Sequence, residues 1–350
     1  MNRGFVFALV AAALFGLSTP VSKLMIGTTD PWMLAGLLYF GSGVGVLILF
    51  LVRGLFSSDK NEMLKKNEIP WLLGATFFGG GLGPVFLMYG LSHTSSSTSS
   101  LLLNLESVLT SVLAWTVFKE HFEKRIVLGM ASIVVGGIIL SWPRDFGSYD
   151  FIGPGFIFLA CLSWAIDNNL TRKISASDPV QITMIKSILA GATNIFLAIL
   201  MGAHIPSLKI VSSISLIGFF GYGMSLICFV FALRNIGTSR TGAYFSTAPF
   251  VGAAASLLLF NEPITIPFLV SSGFMAFGVW LHLTEIHKHV HTHEPITHQH
   301  LHTHDEHHQH EHSQATGVNI RHSHEHTHEP LTHSHIHYPD IHHRHSHNSS

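Results

Sequence analysis

Long apolar stretches separated by short polar loops fill about the first 285 residues of the chain. Ten such stretches can be delimited, and each approaches the ~20 residues that a helix needs to cross a bilayer. The pattern predicts an all-α membrane protein with ten transmembrane helices. The predicted spans are Phe5–Met25, Trp32–Val52, Trp71–Leu91, Ser99–Phe118 and Ile126–Trp142, followed by Phe151–Leu170, Val180–Met201, Ile214–Leu233, Thr241–Phe260 and Ile266–Thr284.

The ten predicted spans divide into two sets of five. Because five is odd, the second set must insert with the opposite orientation, which gives the inverted repeat of alternating-access transporters. We expect a first five-helix repeat over residues 1–145, a second over residues 146–285, and a tail over residues 286–350. A cleaved signal peptide is the alternative interpretation of the first stretch, but its removal would break the five-plus-five pattern.

The two halves share sequence features that indicate an internal duplication. A feature found in both halves is expected to be scaffold. A polar group found in one half is a better candidate for substrate binding, because the pseudo-symmetric position functions without it. The paired carboxylates that end residues 91–120 and 233–262 are therefore predicted to be structural groups at helix ends. The matched features are Asp30-Pro31 with Asp178-Pro179, Lys23 with Arg172, Phe15 with Trp164, Ser97 with Ser239, and Glu120 with Glu262.

Lysine and arginine residues predict the orientation in the membrane. With the N-terminus in the cytoplasm, most loop lysines and arginines fall on the inner side, whereas only Lys23, Arg144 and Lys209 fall on the outer side. This distribution follows the positive-inside rule. We therefore expect a multi-pass protein of the cytoplasmic (inner) cell membrane with both termini in the cytoplasm.

Two local patterns carry a resemblance to a known family. Segment 104–120 begins Asn-Leu-Glu-Ser and ends Phe-Lys-Glu, and segment 248–262 begins Ala-Pro and ends Phe-Asn-Glu. Small residues at positions 16–20 close the first span. With these features the chain resembles the EamA-type transporters of the drug/metabolite transporter superfamily. The resemblance implies a secondary carrier that holds its substrate between the first four helices of each repeat, with the fifth and tenth helices peripheral.

Glu106 is the first candidate for a coupling site. It lies near the middle of the fourth predicted span, and its second-half counterpart is Ala248. A carboxylate at that depth is costly unless it is protonated, paired or facing a wet cavity, and burial favours its protonated form. These properties suit a proton-coupling site. The alternative is a protonated glutamic acid that donates a hydrogen bond to a neighbouring helix, with Asn104 or a backbone carbonyl as its partner.

Asp167 and Lys186 form the second candidate constellation. They lie at similar depths on the sixth and seventh predicted spans, so an ion pair is expected; the counterparts Ser18 and Leu38 carry no charge. Desolvation offsets much of the attraction in a buried pair. The pair is interpreted as a gate or substrate contact, with a static structural pair or a lysine that snorkels to the surface as the alternatives.

Four further polar or aromatic residues are candidates for substrate contact. Asn168 adjoins Asp167, and Trp164 lies one helical turn earlier, so together they offer amide hydrogen bonds and a stacking surface. Tyr89 and Tyr244 occupy the third and ninth predicted spans. Helix packing or an interfacial position is the alternative role for each of these side chains.

The C-terminal tail differs from the rest of the chain. It holds nearly all of the 27 histidines, many as His-x-His, and its Pro, Thr, Ser and Gln content predicts disorder. Imidazole suits zinc, nickel, cobalt and copper, so we expect the tail to bind a divalent transition metal; pH sensing is the alternative. The candidate ligands are His287, His289, His291, His293, His298, His300, His302, His304, His322, His324, His326, His328, His333, His335 and His337.

Composition and motifs narrow the function further. The chain is 47% hydrophobic and 11% charged, and its formal net charge is -1 with histidine neutral, so no basic field favours nucleic acid as a partner. It lacks a Gly-Lys-Ser/Thr phosphate loop, a catalytic triad and a His-Glu-x-x-His motif. We therefore expect neither ATP-driven transport nor an enzyme, and no required cofactor.

The sequence thus predicts a secondary active transporter that exports a small metabolite by alternating access, coupled to protons or to exchange. The alternative is a transition-metal transporter for nickel, cobalt or zinc, or a membrane-anchored metal sensor that transports nothing. The expected partners are the lipid bilayer, a small-molecule substrate, a divalent transition metal on the tail and a second copy of the chain in a homodimer.

Overall fold

A computed structural model defines the fold in two compact units, Met1–Glu285 and Ile286–Ser350, each described by itself. The predicted all-α architecture is confirmed for the described part of the first unit, which is helical between its loops. The described residues are 3–56, 64–118, 124–142, 151–174, 177–236, 241, 244–284, 288–293, 297–302, 322–327 and 331–336.

The helices of the first unit follow the order of the apolar stretches. Two π-helical segments, Thr76–Leu82 and Phe219–Met224, join consecutive α-helices, and short 3-10 turns occur at Lys66–Glu68 and Arg172–Ile174. The α-helices are α1 Arg3–Lys23, α2 Pro31–Phe56, α3 Ile69–Ala75, α4 Gly83–His93, α5 Ser96–Leu102, α6 Leu105–Phe118, α7 Lys124–Ser141, α8 Ile152–Thr171, α9 Pro179–Leu200, α10 Leu208–Gly218, α11 Ser225–Ile236, α12 Ala248–Phe260 and α13 Ile266–Leu283.

Within the described residues, every predicted span falls on largely helical structure, although not every helix has the length and hydropathy of a membrane crossing. In the described part of the chain, seven segments meet both criteria, and Ala248–Phe260 and Ile266–His282 are shorter apolar helices. The multi-pass membrane protein is therefore confirmed, whereas ten crossings in an inverted repeat stay a prediction. The seven segments are Arg3–Lys23, Pro31–Val52, Lys66–His93, Ser96–Val117, Lys124–Ser141, Val180–Leu200 and Leu208–Ala232.

The two Asp-Pro pairs begin matching helices. The Asp30 carboxylate accepts hydrogen bonds from the backbone N–H of Trp32 at 2.9 Å and of Met33 at 3.1 Å at the start of α2. Asp178 accepts from the backbone N–H of Val180 at 2.8 Å at the start of α9. An N-cap carboxylate satisfies orphan N–H groups, and proline fits the first helical position. The paired motif is thus a helix start in both halves, as expected for scaffold.

Helices α2 and α9 pack closely through glycines. A Cβ on Gly36 would collide with the backbone of Ile195, and a Cβ on Gly43 would collide with the backbone of Ile188. As the residue number rises along α2, the number of the contacting residue falls along α9, so the two helices run antiparallel. Small residues allow such close approach between membrane helices, where association depends on packing.

The fifth and tenth predicted spans, α7 and α13, pack against each other. Ser132 donates a hydrogen bond to the carbonyl of Phe274 at 2.7 Å, and Gly129 lies against Gly278. Small residues of both helices thus lie at the contact between α7 and α13. The polar candidate residues lie on other helices.

The described residues of the second unit form four six-residue strands, where the sequence predicts no regular structure. Strand β1 (Lys288–His293) pairs antiparallel with β4 (Leu331–Ile336), and β2 (Thr297–His302) pairs antiparallel with β3 (His322–Thr327). The His-x-His alternation matches the two-residue period of a strand, which accounts for the difference. A two-stranded pair is at best marginally stable in water, so disorder of the tail in solution stays a prediction.

Candidate functional site

A glycine-rich π-helical segment, Thr76–Leu82, lies at the centre of the candidate site. The carbonyl oxygen of Gly79 accepts hydrogen bonds from the Tyr39 hydroxyl at 2.9 Å and from the Trp164 indole N–H at 2.9 Å. The Asn194 amide donates to the next two glycine carbonyls, each at 3.2 Å. Side chains from α2, α8 and α9 therefore hold this segment through its backbone. π-helical turns are frequent at functional sites.

The predicted ion pair between Asp167 and Lys186 is present against this segment. The Lys186 ammonium bonds one carboxylate oxygen of Asp167, and Thr171 donates to the other at 2.9 Å. The two side chains are only 7% and 16% exposed, which removes the alternative of a snorkelling lysine. A Cβ on Gly79 would collide with the Asp167 carboxylate, so the pair fits only because this position has no side chain.

Glu106 lies midway along the candidate span Ser96–Val117 and is partly buried. One of its carboxylate oxygens accepts a hydrogen bond from the Asn168 amide at 2.9 Å, and the same amide lies 3.4 Å from the Thr110 hydroxyl. Asp167 and Lys186 are within electrostatic range of the carboxylate. The structure therefore places the two candidate constellations next to each other.

Asn104, one of the two partners considered for Glu106 under the packing alternative, bonds other groups. It lies where the α-helix is interrupted between α5 and α6. The buried Asn104 amide donates to the carbonyl of Leu101 at 2.9 Å and lies 3.9 Å from the sulfur of Met275. Asn104 is thus a packing residue at the break, and Asn168 is the polar partner of Glu106.

The three consecutive polar residues of α8, at positions 167–169, differ in their exposure. Asp167 and Asn169 are buried, in agreement with the expectation that at least two of the three face the bundle. Asn169 donates to the carbonyls of Ala165 at 2.9 Å and Thr110 at 3.2 Å. Asn168 is exposed beside Glu106. Because exposed polar groups at this depth avoid acyl chains, we expect Asn168 and Glu106 to face a polar space.

Aromatic rings continue from this site into the second half of the body. Tyr39 lies 5.2 Å from Tyr222 between ring centroids, and Tyr222 lies 5.9 Å from Phe15. Phe15 is in turn 5.3 Å from Phe245. Helices α1 and α2 and the π-helical segment Phe219–Met224 thus contribute to one aromatic row, called here the aromatic wall: Phe15, Tyr39, Tyr222 and Phe245.

The structure does not bring Tyr89 or Tyr244 into this cluster. Tyr89 stacks on Phe156 with ring centroids 5.6 Å apart, and Tyr244 makes an edge contact with Phe5 at 5.2 Å. These ring contacts favour the packing role for both tyrosines.

Glu262 is a helix cap, as its presence in both halves suggested. Its carboxylate accepts hydrogen bonds from the backbone N–H of Ser96 at 2.8 Å and of Ser97 at 3.1 Å, and also from the Ser97 hydroxyl. Lys23 donates nearby to the carbonyls of Leu91 and, at 3.0 Å, Thr94. These bonds join α12 to α5 and α1 to α4 at the same end of the body. The matching residue Glu120 lies outside the described residues.

Within the described residues, no group of three or more His, Cys, Asp or Glu side chains is placed to hold an ion. His287, His304, His328 and His337 lie outside the described residues, and the strand histidines are described by backbone alone. Metal binding by the tail is therefore a prediction without a structural test.

Several residues of the site escaped sequence reasoning. Tyr39, Thr110, Asn194 and Tyr222 were not singled out, although each interrupts an apolar run with a polar group. That interruption is a usable signal, but it does not distinguish these residues from the many serines and threonines that bond their own helix.

Comparison with known proteins gives a consistent assignment. A family model described as "EamA-like transporter family" matches residues 2–142 and again residues 151–284. The chain is 24% identical over 295 residues to an uncharacterized transporter of Methanothermobacter thermautotrophicus, covering 79% of this chain and 85% of that protein. It is 23% identical over 282 residues to the uncharacterized transporter YyaM of Bacillus subtilis, covering 78% and 90%.

A solved crystal structure has a similar fold. It superposes with a TM-score of 0.60 at 15% identity, covering 80% of this chain and 95% of that chain. At this identity the likeness shows the fold alone.

Proposed function

The chain belongs to the EamA-like transporter family, and on that premise we propose that it is a secondary carrier that exports a small metabolite across the cytoplasmic membrane. Membership of the family makes it a membrane transporter. The coupling mode and the direction are the parts that we propose. The observation that carries the proposal is the contact between Glu106 and Asn168, which joins a mid-membrane carboxylate of one half to an amide of the other.

The antiparallel packing of equivalent helices supports alternating access. Helices α2 and α9, the second of each proposed repeat, run in opposite directions through their glycine contacts. Ser96 near the start of the fourth span bonds Ser256 near the end of the ninth, at 2.8 Å. An inverted repeat has this relation between equivalent helices, and rocking of one repeat against the other exposes a central site to each side in turn.

Proton coupling is assigned to Glu106. A carboxylate bonded to a neutral amide keeps its full negative charge, which is costly at mid-membrane depth. Protonation removes that cost, and release of the proton to the opposite side completes a coupled cycle. The adjacent ion pair of Asp167 and Lys186 is assigned the role of a gate, because it links α8 to α9 beside the π-helical segment.

The histidine-rich tail is assigned a regulatory metal-binding role. Its His-x-His runs suit zinc, nickel or cobalt. Transport of these metals through the body is the second candidate function, but the described spans contain no ligand cluster that favours it. A chain ending at Thr284 should keep metabolite flux and lose zinc binding, and loss of both would contradict a separate regulatory tail.

The carrier is tested with full-length protein in liposomes that contain a pH-sensitive dye. A cytosolic metabolite extract is added outside under an imposed pH gradient, and proton flux is recorded. We expect flux that depends on the extract and falls to background in Glu106→Gln, because the variant cannot exchange a proton at that position. Absence of extract-dependent flux in the parent protein would contradict the proposed carrier function.

The matched control is Glu68→Gln. Glu68 is a carboxylate at a helix end, bonded to Ser177 at 2.8 Å and to the backbone N–H of Lys65 at 2.7 Å. It should keep parental flux, since it lies at the start of the candidate span Lys66–His93 rather than at mid-membrane depth. Parental flux in Glu106→Gln would refute the coupling role while leaving the carrier itself in place.

A further inference from the structure

The charges at mid-membrane depth do not balance. More than one turn from the ends of the candidate spans and of α8, the described helices carry three charged side chains: Glu106, Asp167 and Lys186. Asp167 and Lys186 neutralise each other in a direct ion pair. Among the described residues, the hydrogen-bond partner of the Glu106 carboxylate is the neutral amide of Asn168. The site therefore lacks one positive charge.

This deficit, which rests on the proposed carrier function, indicates the substrate class. We infer that the transported solute is a small organic monocation bearing a protonated amine, and that it exchanges with a proton at Glu106. Without bound substrate, the Glu106 carboxylate takes up one proton, and the arriving ammonium displaces that proton to the adjoining water. One positive charge replaces one positive charge, so the total charge of the site is unchanged.

The hydrogen-bonding groups beside Glu106 suit an ammonium. An ammonium has three donors and no acceptor. Three acceptors lie together here: the Glu106 carboxylate, the side-chain oxygen of Asn168 and the Thr110 hydroxyl. The Asn168 amide nitrogen lies 2.9 Å from the carboxylate and 3.4 Å from the hydroxyl. Asn168 is exposed, so a solute can reach this group without disrupting the buried core.

The aromatic wall suits the same ligand. Tyr39 lies within electrostatic range of Glu106, and its ring lies 5.2 Å from that of Tyr222. Aromatic faces attract cations, more strongly when water is excluded.

Two other substrate classes fit less well. An anion would need a free cation, but Lys186 is engaged by Asp167 and is only 16% exposed. A divalent metal would need several ligands, and the described residues hold no group of three. An amine needs only the carboxylate and the neutral acceptors that the structure provides.

The test uses matched probes of one shape and three charges: 2-phenylethylamine, 2-phenylethanol and 3-phenylpropanoate. Binding to full-length protein in detergent is measured by calorimetry, and proton release is measured in weakly buffered solution. We expect the amine to bind and to release up to about one proton per chain. The alcohol and the carboxylate should release none.

The variant Glu106→Gln should bind the amine roughly ten- to hundredfold more weakly, the loss expected for one charged hydrogen bond, and should release no proton. Glu106→Asp keeps the charge and should recover part of both signals. The other ionisable groups facing Glu106 are Asp167 and Cys161 on α8, Lys186 on α9 and Tyr39 on α2, and all remain in both variants. The tail histidines also remain, so their titration cancels in the comparison.

The liposome assay separates this inference from the carrier function. The cytosolic extract is passed over a cation exchanger at neutral pH, and both fractions are tested. Flux from the retained fraction supports the amine, whereas flux only from the unretained fraction overturns it and leaves the carrier standing. Preferential binding of the carboxylate probe, binding of all three probes regardless of Glu106, or binding of none of them also overturns the inference.

Discussion

The two π-helical segments of the body occupy matching places in the two halves, but their surroundings differ in polarity. Asp167 of the second half lies against Gly79 of the first π-helical segment, and Ser18 of the first half lies against Gly221 of the second π-helical segment. Asp167 and Ser18 are the positions that sequence alignment of the halves predicts to be equivalent. The glycine and the close approach of a neighbouring helix recur, whereas the charge occurs once.

This difference separates scaffold from specialised chemistry. Ser18 donates to the carbonyl of Phe15 within its own helix at 2.6 Å, and its other side-chain partner is the uncharged hydroxyl of Tyr222. Asp167 needs Lys186 on the next helix, and Leu38, the counterpart of Lys186, is a buried apolar residue. The second-half pair therefore adds an ionic contact to a fold whose other half does without one.

The largest expected effect comes from breaking the ion pair on one side. Asp167→Ala leaves the Lys186 ammonium buried and unpaired, which should cost about 3–5 kcal/mol of stability. The measurement is the thermal unfolding midpoint of the purified protein in detergent, which should fall well below that of the parent.

The first half supplies the matched control for this variant. The double variant Asp167→Ser with Lys186→Leu reproduces the residues found at positions 18 and 38. It should recover most of the lost stability, because no charge is left unpaired, while its flux should differ from the parent if the pair is a gate. A double variant as unstable as Asp167→Ala would show that the pair is required for packing rather than for charge balance.

A smaller effect is expected from filling the space beside the pair. Gly79→Ala places a Cβ against the Asp167 carboxylate, so the pair must shift at a cost of about 1–3 kcal/mol. Gly81→Ala is the control in the same segment, because its nearest neighbour outside the local backbone is 3.7 Å away. Equal unfolding midpoints for the two variants would contradict the steric argument.

The smallest effect should come from Tyr39→Phe. The variant removes one of two donors to the Gly79 carbonyl, and Trp164 still satisfies that oxygen. The expected loss is about 0.5–1.5 kcal/mol. Tyr89→Phe, which keeps the stack on Phe156, should have less effect on the unfolding midpoint. A larger loss in Tyr89→Phe would show that the π-helical segment does not depend on its side-chain donors.

Regular helix periodicity made part of this site predictable. The pairing of Asp167 with Lys186 follows from equal depth on consecutive helices, and the structure confirms it. The partner of Glu106 could not be inferred in the same way, because regular helical spacing does not continue across the break between α5 and α6. Hydropathy records which residues are apolar, but it does not record such a break.

The π-helical geometry could not be predicted from the sequence either. The glycine runs indicated close helix contact or a flexing point, and the close contact is present at Gly79. The backbone form depends on donors from three other helices, Tyr39, Trp164 and Asn194, which lie far away in the chain. Local propensity carries no information about such distant donors.

The seam between α2 and α9 has a mechanical consequence. Gly36, Gly43 and Gly191 bring one backbone against the other, so there is almost no compressible side-chain layer between them. In the proposed alternating-access cycle, such a contact would act as a fulcrum. With lever arms of about 15 Å, half the ~30 Å hydrocarbon thickness, a tilt of roughly 10° would displace each end by about 3 Å in opposite senses, widening one mouth as the other narrows.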